Sequence, residues 1–343
     1  MNVDRQDFAS DNTASICPEA WAALQEANIN YAAAYGEDRW TGSLCNRIRE
    51  IFEADCDVYF VFTGTAANAL SLAQMCRSFR SIICHQNAHI QTDECGAPEF
   101  FTSGSKLLLV GGANGKIDIG QTRALLERQN DLHSHKPGAI SVAQTTEFGT
   151  VYTCDQIAAI ADLARSNELF LHLDGARFAN AVAALNCAPK AITSDIGVDV
   201  LCFGGTKNGT AAGELVIFFN KEISRKFDYR LKQAGQLGSK MRFLAAQWLG
   251  LLAEDAWVRN ARHANRMARQ LAENLQKANV EIVFPVEANA VFARMDDHLV
   301  RRLQVGGWRF YKFIEPDIYR LMCSWATTES GIDGFIRDVT RNH

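Results

Sequence analysis

The sequence of 343 residues lacks the patterns that mark several large classes of protein. No apolar run is long enough to cross a membrane, and the first seven residues lack the apolar core of a secretion signal. There is no low-complexity tract, charge block or internal repeat. A net charge of -4 gives no reason to expect a nucleic-acid or membrane partner. We therefore expect a cytoplasmic protein that binds neither.

The ten cysteines include no closely spaced pair. The nearest two, Cys76 and Cys84, are eight residues apart, so the C-x-x-C spacing of zinc and redox sites is absent. Cysteines scattered through so long a chain are typical of reduced thiols in a reducing compartment. We therefore expect neither a bound metal nor a disulfide framework.

Both glycine-rich signatures of nucleotide binding, G-x-G-x-x-G and G-x-x-x-x-G-K-[ST], are also absent, which disfavours dinucleotides and nucleoside triphosphates. A smaller turn, Thr63-Gly64-Thr65, does lie between an apolar segment and an alanine-rich helical segment. The free amides and the dipole of a helix N-terminus favour a phosphate, and a glycine allows close approach. Gly64 and Thr65 therefore either bind a phosphate or simply begin a helix.

Apolar segments of strand length alternate with helical segments along the first two thirds of the chain. They lie at residues 58–62, 81–84, 106–110, 139–143, 169–173 and 198–203. This alternation predicts an α/β fold with a mostly parallel sheet and helices on both faces. Segment 215–219 follows too closely for a crossover helix, so we expect it to be antiparallel to its neighbour. A capping-box pattern at 153–156 predicts a helix that ends at Ser166.

The pattern changes in the last third of the chain. A helical stretch from 239 to 278 has a break near Glu254. Short strands then follow at residues 281–284, 291–294, 308–311 and 318–322. We therefore predict an N-terminal arm and helix (1–30), a large domain (31–252) and a smaller C-terminal α+β domain (253–343).

Two of the apolar segments end in charged side chains. One ends with Asp174 and Arg177, and the next ends in a glycine turn that carries Lys207. Because the carboxyl ends of parallel strands meet at one edge of a sheet, these groups can share a cleft. A lysine there can form a Schiff base with an aldehyde cofactor, and an aspartate can hold a pyridinium nitrogen.

Structural interpretations of the same residues stay open at this point. The pair Asn208-Gly209 between two apolar segments is a strong hairpin signal, so Lys207 taken alone is more often a solvated turn lysine. Asp174 taken alone could be a helix N-cap. His89 could stack on an aromatic cofactor or transfer protons, although loop histidines are more often solvated.

Arginine side chains are the candidates for binding a substrate carboxylate. Arg177 can form two parallel hydrogen bonds to a carboxylate, and its spacing from Asp174 lets both point into one cleft. Arg320 lies inside an apolar run, where a half-buried arginine needs a partner.

The ordered set of motifs resembles that of the L-threonine aldolases of low specificity. They belong to the aspartate-aminotransferase-like, fold type I family of pyridoxal-phosphate enzymes. The motifs are Thr63-Gly64-Thr65, His89 with Glu94, Asp174-Gly175-Ala176-Arg177 and Thr206-Lys207-Asn208-Gly209. The resemblance implies pyridoxal 5′-phosphate as cofactor. It also implies cleavage of threonine, allo-threonine or phenylserine to glycine and an aldehyde.

The resemblance also assigns roles to single residues. The cofactor residues are Gly64 and Thr65 at the phosphate, His89 on the ring, Asp174 at the ring nitrogen, Lys207 as the Schiff-base lysine and Arg242 reaching a neighbouring subunit's phosphate. The catalytic residues are Lys207, Asp174, His89 and a second histidine near the substrate hydroxyl, His133. The substrate-binding residues are Ser10, Arg177, Arg320 and, serving a neighbouring subunit, Tyr35. The resemblance also implies a homotetramer whose active sites are shared between subunits.

Two segments depart from the family pattern. Gln144 is followed by Thr-Thr-Glu-Phe-Gly where an Asn-Thr-His run is usual, and Gln236-Leu237-Gly238-Ser239-Lys240 replaces a glycine-rich loop. These departures bear on substrate preference and on Arg242, and they leave the cofactor set intact.

Two other functions stay open from the sequence. The same cofactor residues would serve a β-eliminating lyase that releases ammonia and a keto acid. A non-catalytic, degenerate interaction protein would need Lys207 to be a mere turn residue, and it would be colourless when purified.

Overall fold

The structure is a computed structural model that describes residues 7–128 and 131–341, so residues 1–6 of the predicted N-terminal arm lie outside it. The helices are α1 (Pro18–Ala27), α2 (Arg39–Phe52), α3 (Gly64–Met75), α4 (His89–Thr92), α5 (Ala97–Phe101), α6 (Ile119–Arg128), α7 (Cys154–Ser166), α8 (Phe178–Leu185), α9 (Lys221–Ser224), α10 (Phe227–Gln233), α11 (Arg242–Leu252), α12 (Ala256–Lys277), α13 (Asp297–Val305) and α14 (Glu329–Thr340). The strands are β1 (Asp57–Val61), β2 (Arg80–His85), β3 (Lys106–Val110), β4 (Lys136–Ala143), β5 (Phe170–Gly175), β6 (Val200–Phe203), β7 (Glu214–Phe218), β8 (Glu281–Ile282), β9 (Ala290–Arg294), β10 (Tyr311–Ile314) and β11 (Ile318–Met322).

Seven of the strands form one sheet in the order β1-β7-β6-β5-β4-β2-β3. Neighbouring strands from β6 to β3 are parallel, whereas β7 is antiparallel to both β6 and β1. The predicted α/β fold with a mostly parallel sheet is confirmed, and so is the antiparallel direction of the segment that forms β7. The carboxyl ends of the parallel strands share one edge, where such sheets place their ligand sites.

The large sheet is buried on both faces. Along β6, Leu201 and Phe203 enter one hydrophobic core, while Val200 and Cys202 enter the core on the opposite face. Alternating side chains of one strand point to opposite faces, so both cores must be covered by helices. This explains why the strand segments are mostly apolar instead of alternating between apolar and polar residues.

The connection from β6 to β7 is not a two-residue hairpin, although the sequence contains Asn208-Gly209. It runs over residues 204–213 and includes the short 3₁₀ turn Thr206–Asn208. Asn208 is buried, and its side-chain amide donates to the carbonyl of Trp257 at 2.9 Å. This hydrogen bond to helix α12, which contains Trp257, therefore takes the place of a local hairpin turn.

A second, antiparallel sheet in the order β10-β11-β9-β8 forms the core of the C-terminal part. The predicted break near Glu254 is confirmed, because α11 and α12 are separated by residues 253–255, where Glu254 and Asp255 have positive φ. We propose this break as the boundary between the large and small domains.

The N-terminal segment packs on the small sheet before it reaches the large one. Phe8 is fully buried against Trp308 and Phe335, and its carbonyl accepts the N–H of Met322 at 2.8 Å. This anchor directs the following residues, Ser10 and Asp11, toward the space between the two sheets. No helix in the described ranges is both long and apolar enough to span a bilayer.

Candidate active site

A cleft of about 380 Å³ lies at the carboxyl edge of the large sheet. Its walls include the first turn of α3, the start of α4, the end of β5 and the turn after β6. It is lined by the predicted residues Gly64, Thr65, His89, Asp174 and Lys207. The volume is within the range of small-ligand sites, roughly 300–1,000 Å³. The fold therefore brings this set together, although its members are spread over 144 positions (207 − 64 + 1) of the chain.

The N-terminus of α3 opens onto the cleft. Thr63 is its N-cap, and the Thr63 hydroxyl accepts the N–H of Ala66 at 3.1 Å. A Cβ added to Gly64 would have nothing within 4 Å, so packing inside the chain does not require a glycine there. The space above the first turn of α3 is therefore free for a ligand, and the helix dipole favours an anionic one.

Asp174 is buried at the floor of the cleft. Its Oδ1 accepts the N–H of Ala176 at 3.0 Å, and its Oδ2 accepts the side-chain amide of Asn68 at 2.8 Å. Burial favours a higher pKa for Asp174, but the charges of His89 and Lys207 and the N–H of Ala176 outweigh it and lower the pKa. Asp174 is thus an anion at neutral pH. It does not cap α8, which has no side-chain cap.

His89 begins α4 beside the cleft, and about a third of its side chain is exposed (33%). Its Nδ1 lies 2.8 Å from Oε1 of Glu94. Burial opposes the charged form of His89, but the hydrogen bond that His89 donates to Glu94 and the charge of Asp174 raise the pKa of His89 above the ordinary value. Burial raises the pKa of Glu94, and the bonds it accepts from His89 and Asn68 oppose that rise. As a carboxylate, Glu94 accepts the proton-bearing Nδ1 of His89 and leaves Nε2 available to a ligand.

Lys207 lies on the 3₁₀ turn after β6 and lines the cleft. Within the described ranges it forms no hydrogen bond or ion pair. The turn is held by Glu214, the first residue of β7, whose Oε2 accepts the N–H of Gly205 at 2.5 Å. Burial raises the pKa of Glu214, against the opposing effect of bonds from Thr206 and Gly205. An amine without a partner, on an anchored turn, is suited to bind a ligand.

Two glycines let this turn approach its neighbours. A Cβ on Gly204 would clash with the carbonyl oxygen of Ala176, and one on Gly205 would lie 2.5 Å from the ring of Trp248. A larger residue at Gly204 would push the turn away from the end of β5, and one at Gly205 would push it away from Trp248. The glycines therefore keep Lys207 close to the end of the strand that carries Asp174.

Arg177 is paired with a carboxylate of its own chain. Its Nε and Nη2 donate to the two oxygens of Asp11 at 2.7 and 2.8 Å, and the amide of Asn289 adds a third bond to Asp11 at 3.0 Å. Burial favours a higher pKa for Asp11, but Arg177 outweighs it and lowers the pKa. The predicted substrate residue Ser10 is adjacent, and its hydroxyl accepts the N–H of Asn12 at 3.1 Å. Two of the five N–H groups of Arg177 are thus already engaged.

Arg320, in contrast to Arg177, has a guanidinium nitrogen without a hydrogen-bond partner. It lies on β11 of the small sheet, and its Nε is buried without a hydrogen-bond partner. The guanidinium lies 5.1 Å from the ring centre of Phe313. Burial lowers the pKa of Arg320, and the nearby positive charge of Arg177 lowers it further. A buried cation of this kind is costly unless an anion joins it, so the site favours an anionic ligand group.

The structure places Tyr35 and Arg242 outside the cleft of their own chain. The Tyr35 ring is half exposed (52%) under the ammonium of Lys232, and its N–H donates to the carbonyl of Ser239. Arg242 begins α11 and donates to the carbonyl of Asn30 at 3.3 Å. Both lie on one surface, so a role for them requires a second subunit.

The structure places His133 at the wrong edge of the sheet for its own cleft. It lies on an exposed loop before β4, whereas the cleft lies beyond the carboxyl end of that strand. The eight residues of β4 separate the two edges by roughly 25 Å, at about 3.3 Å per residue. Like Tyr35 and Arg242, His133 could serve only a neighbouring subunit.

Sequence reasoning missed three residues that shape the site: Asn68, Glu214 and the partner of Arg177, Asp11. Asn68 is separated by 106 residues from Asp174, and Asp11 by 166 residues from Arg177. Such pairs leave no local spacing to detect. The polar residue Asn68 inside an alanine- and leucine-rich helical segment was a weak signal, because Ser71 and Gln74 lie in the same segment.

The chain matches the model of the family described as beta-eliminating lyase over residues 7–298. It is 51% identical over 340 residues to the low specificity L-threonine aldolase of Pseudomonas aeruginosa, covering 99% of this chain and 98% of the relative. It is 49% identical over 340 residues to the low specificity L-threonine aldolase of a Pseudomonas species, with the same coverage.

A solved structure of a threonine aldolase from Leishmania major superposes on this chain with a TM-score of 0.92. The two chains are 27% identical, and the match covers 97% of this chain and 98% of the other. The similarity therefore extends over both sheets and includes the elements that line the cleft.

Proposed function

Because the chain belongs to the beta-eliminating lyase family, we propose that it cleaves the Cα–Cβ bond of L-threonine-type β-hydroxy-α-amino acids. The products would be glycine and an aldehyde, and the cofactor would be pyridoxal 5′-phosphate. Relatives at 51% and 49% identity are named low specificity L-threonine aldolases, which supports this reaction. The single observation that carries the proposal is an amine without a partner, Lys207, in one cleft with an ionised, buried Asp174.

The residues present fit the cofactor. The open N-terminus of α3 at Gly64 and Thr65 suits a phosphate, and Lys207 suits an aldehyde. Asp174 would hold the ring nitrogen protonated, and His89 would stack on the ring. When bound, the cofactor supplies an electron sink for the charge left on Cα after bond cleavage.

The substrate carboxylate is proposed to bind Arg320, whose buried Nε has no partner. We propose that Ser10 and the unengaged N–H groups of Arg177 complete its coordination. Fixing the carboxylate would orient the Cα–Cβ bond relative to the cofactor ring, and orientation of this kind contributes several kcal/mol to catalysis.

We propose that a histidine accepts the proton of the substrate β-hydroxyl, directly or through water. His89 is supported by its position in the cleft and by Glu94, which leaves Nε2 able to accept. His133 would have to come from a neighbouring subunit.

We also propose a homotetramer with shared active sites. Tyr31 and Ile29 are exposed apolar side chains beside Tyr35 and Arg242, and such a surface suits contact with a second copy of the chain. Tyr35 and Arg242 would then serve the neighbouring cleft. A cytoplasmic location stays a prediction from the pattern of free cysteines.

The test is a product assay with the purified chain, pyridoxal phosphate, the four threonine stereoisomers and phenylserine. We expect glycine and an aldehyde in equal amounts. Ammonia and a keto acid would instead indicate β-elimination, the reaction for which the matched family is named. A Lys207→Ala variant is the control, and it should form neither product pair.

A further inference from the structure

A chain of hydrogen bonds between buried side chains joins the two sides of the cleft. The Nδ2 of Asn68 donates to Oδ2 of Asp174 and to Oε1 of Glu94, both at 2.8 Å. The same Glu94 oxygen lies 2.8 Å from Nδ1 of His89. Asn68 and Glu94 are each only 3% exposed, so water does not compete strongly for these bonds.

The orientation of the Asn68 amide follows from its neighbours. Two ionised carboxylates only accept hydrogen bonds, so the NH₂ group must face them, with one hydrogen for each. The Oδ1 of Asn68 is left buried without a partner, and so is Oε2 of Glu94. Burying these two atoms without partners lowers the stability of the fold. Residues that are kept despite such a cost are typical of functional positions.

We propose that Asn68 is a positioning residue that links Asp174 to His89. Its two N–H groups hold the carboxylates of Asp174 and Glu94 as anions in fixed orientations. Through Glu94 it also fixes the ring of His89, with Nε2 toward the cleft. The catalytic meaning of this link rests on the proposed function, whereas the link itself is a property of the folded chain.

The link predicts opposite effects from two substitutions. In Asn68→Ala, Glu94 loses a donor that stabilises its anion, so it protonates more readily and the pKa of His89 falls. In Asn68→Asp, a fourth acid joins Glu94, Asp174 and Glu147, which already face His89, and the pKa of His89 rises. The positive charge of Lys207 is beyond Asp174 and is unchanged in both variants. General loosening of the site would not produce opposite signs.

The experiment is carbethoxylation of the full-length chain with diethyl pyrocarbonate across the pH range, with and without bound pyridoxal phosphate. The reagent modifies neutral imidazole, so the pH dependence of labelling on the His89 peptide, read by mass spectrometry, gives the pKa of His89. We expect a value above the ordinary ~6.5 in the parent protein. It should be lower in Asn68→Ala than in the parent protein and higher in Asn68→Asp.

The matched control is Asn180→Ala, since Asn180 is another buried asparagine and its amide donates to Asn265 at 2.9 Å, away from the cleft. It should leave the His89 profile unchanged. If Asn68→Ala changes the pKa of His89 no more than Asn180→Ala does, the link is refuted. Asn68→Asp preserves the size of the side chain and keeps the test available if Asn68→Ala does not fold.

Activity gives a second readout of the same link. In Asn68→Ala, kcat for aldehyde release should fall by about tenfold or more with KM nearly unchanged, because only orientation and protonation are disturbed. If the parent protein releases no aldehyde but the His89 shifts occur, the proposed function fails and the link stands. Aldehyde release without the shifts gives the reverse conclusion.

Discussion

The candidate site residues fall into an inner end, on the large sheet, and an outer end, on the small sheet, and the two differ in how completely their charged groups are paired. At the inner end, on the large sheet, Asp174 accepts two hydrogen bonds and His89 is bonded to Glu94. At the outer end, on the small sheet, Arg320 has a buried Nε with no partner. Arg177, between them, is neutralised by Asp11. Asp174 and His89 of the inner end therefore have partners within the chain, whereas Arg320 of the outer end lacks an anion.

This difference separates two tasks of the site. A group whose pKa must be held, such as Asp174, needs fixed partners before any ligand arrives. A group that binds and releases a substrate must be short of one partner, since a fully paired arginine has nothing to gain from a carboxylate. Four substitutions test whether the two ends differ in this way.

The largest effect is expected at the inner end, from Asp174→Asn. The substitution keeps the size of the side chain but removes the charge that would hold the ring nitrogen protonated. The protein should still bind pyridoxal phosphate, while kcat falls by roughly 10²–10³-fold. Steady-state kinetics and the absorbance of the bound cofactor check this. Unchanged kcat would remove the electronic role of Asp174, and Asp155→Asn on the exposed side of α7 is the control.

The next effect concerns folding rather than rate. Arg177→Ala would leave the Asp11 carboxylate buried and unpaired, which should cost about 3–5 kcal/mol of unfolding free energy in urea. Arg225→Ala is the control, because the Arg225–Glu222 pair is exposed and should contribute little. Equal losses of unfolding free energy in the two variants would mean that the buried Arg177–Asp11 pair stabilises the fold no more than an exposed pair does.

A smaller effect is expected at the outer end. Arg320→Ala should raise KM by about ten- to a hundredfold, because one charge-assisted contact to the substrate carboxylate is lost. It should not destabilise the fold as Arg177→Ala does, since no partner of the chain is left unpaired. If KM is unaltered, the substrate carboxylate binds elsewhere.

The smallest effect appears only in acid. The pKa of Asp11 is lower in the folded chain than in the unfolded chain. The stability from the Asp11–Arg177 pair is therefore present above the unfolded pKa of about 3.9 and is lost as pH falls through the folded value. Urea midpoints measured from pH 6 downward should decline less steeply in Asp11→Asn than in the parent protein. Parallel curves would contradict the assigned shift.

Much of the fold was predictable because its signals are local. The capping box at Thr153 and Gln156 is present, and α7 ends at Ser166 as predicted. The strand predicted at 308–311 is wrong in its first three residues, because β10 begins at Tyr311. Trp308 is drawn instead into the aromatic core with Phe8, from the other end of the chain. Tertiary packing decided that segment, and no periodicity in the sequence reports it.

The site was predictable only in part, for the same reason. Lys207 and Asp174 end two apolar segments, and the topology of a parallel sheet brings such ends together. The sequence could identify Arg177 as a candidate but not Asp11, which occupies it. Nor could it identify Asn68, whose role depends on two acids that come from other parts of the fold.

The most direct test of the central claim is borohydride reduction of the purified chain with pyridoxal phosphate, followed by peptide mass spectrometry. The geometry of the cleft predicts one reduced cofactor adduct, on Lys207, and no adduct in Lys207→Ala. An adduct on another lysine, or full labelling of the Lys207→Ala variant, would contradict the account of the site.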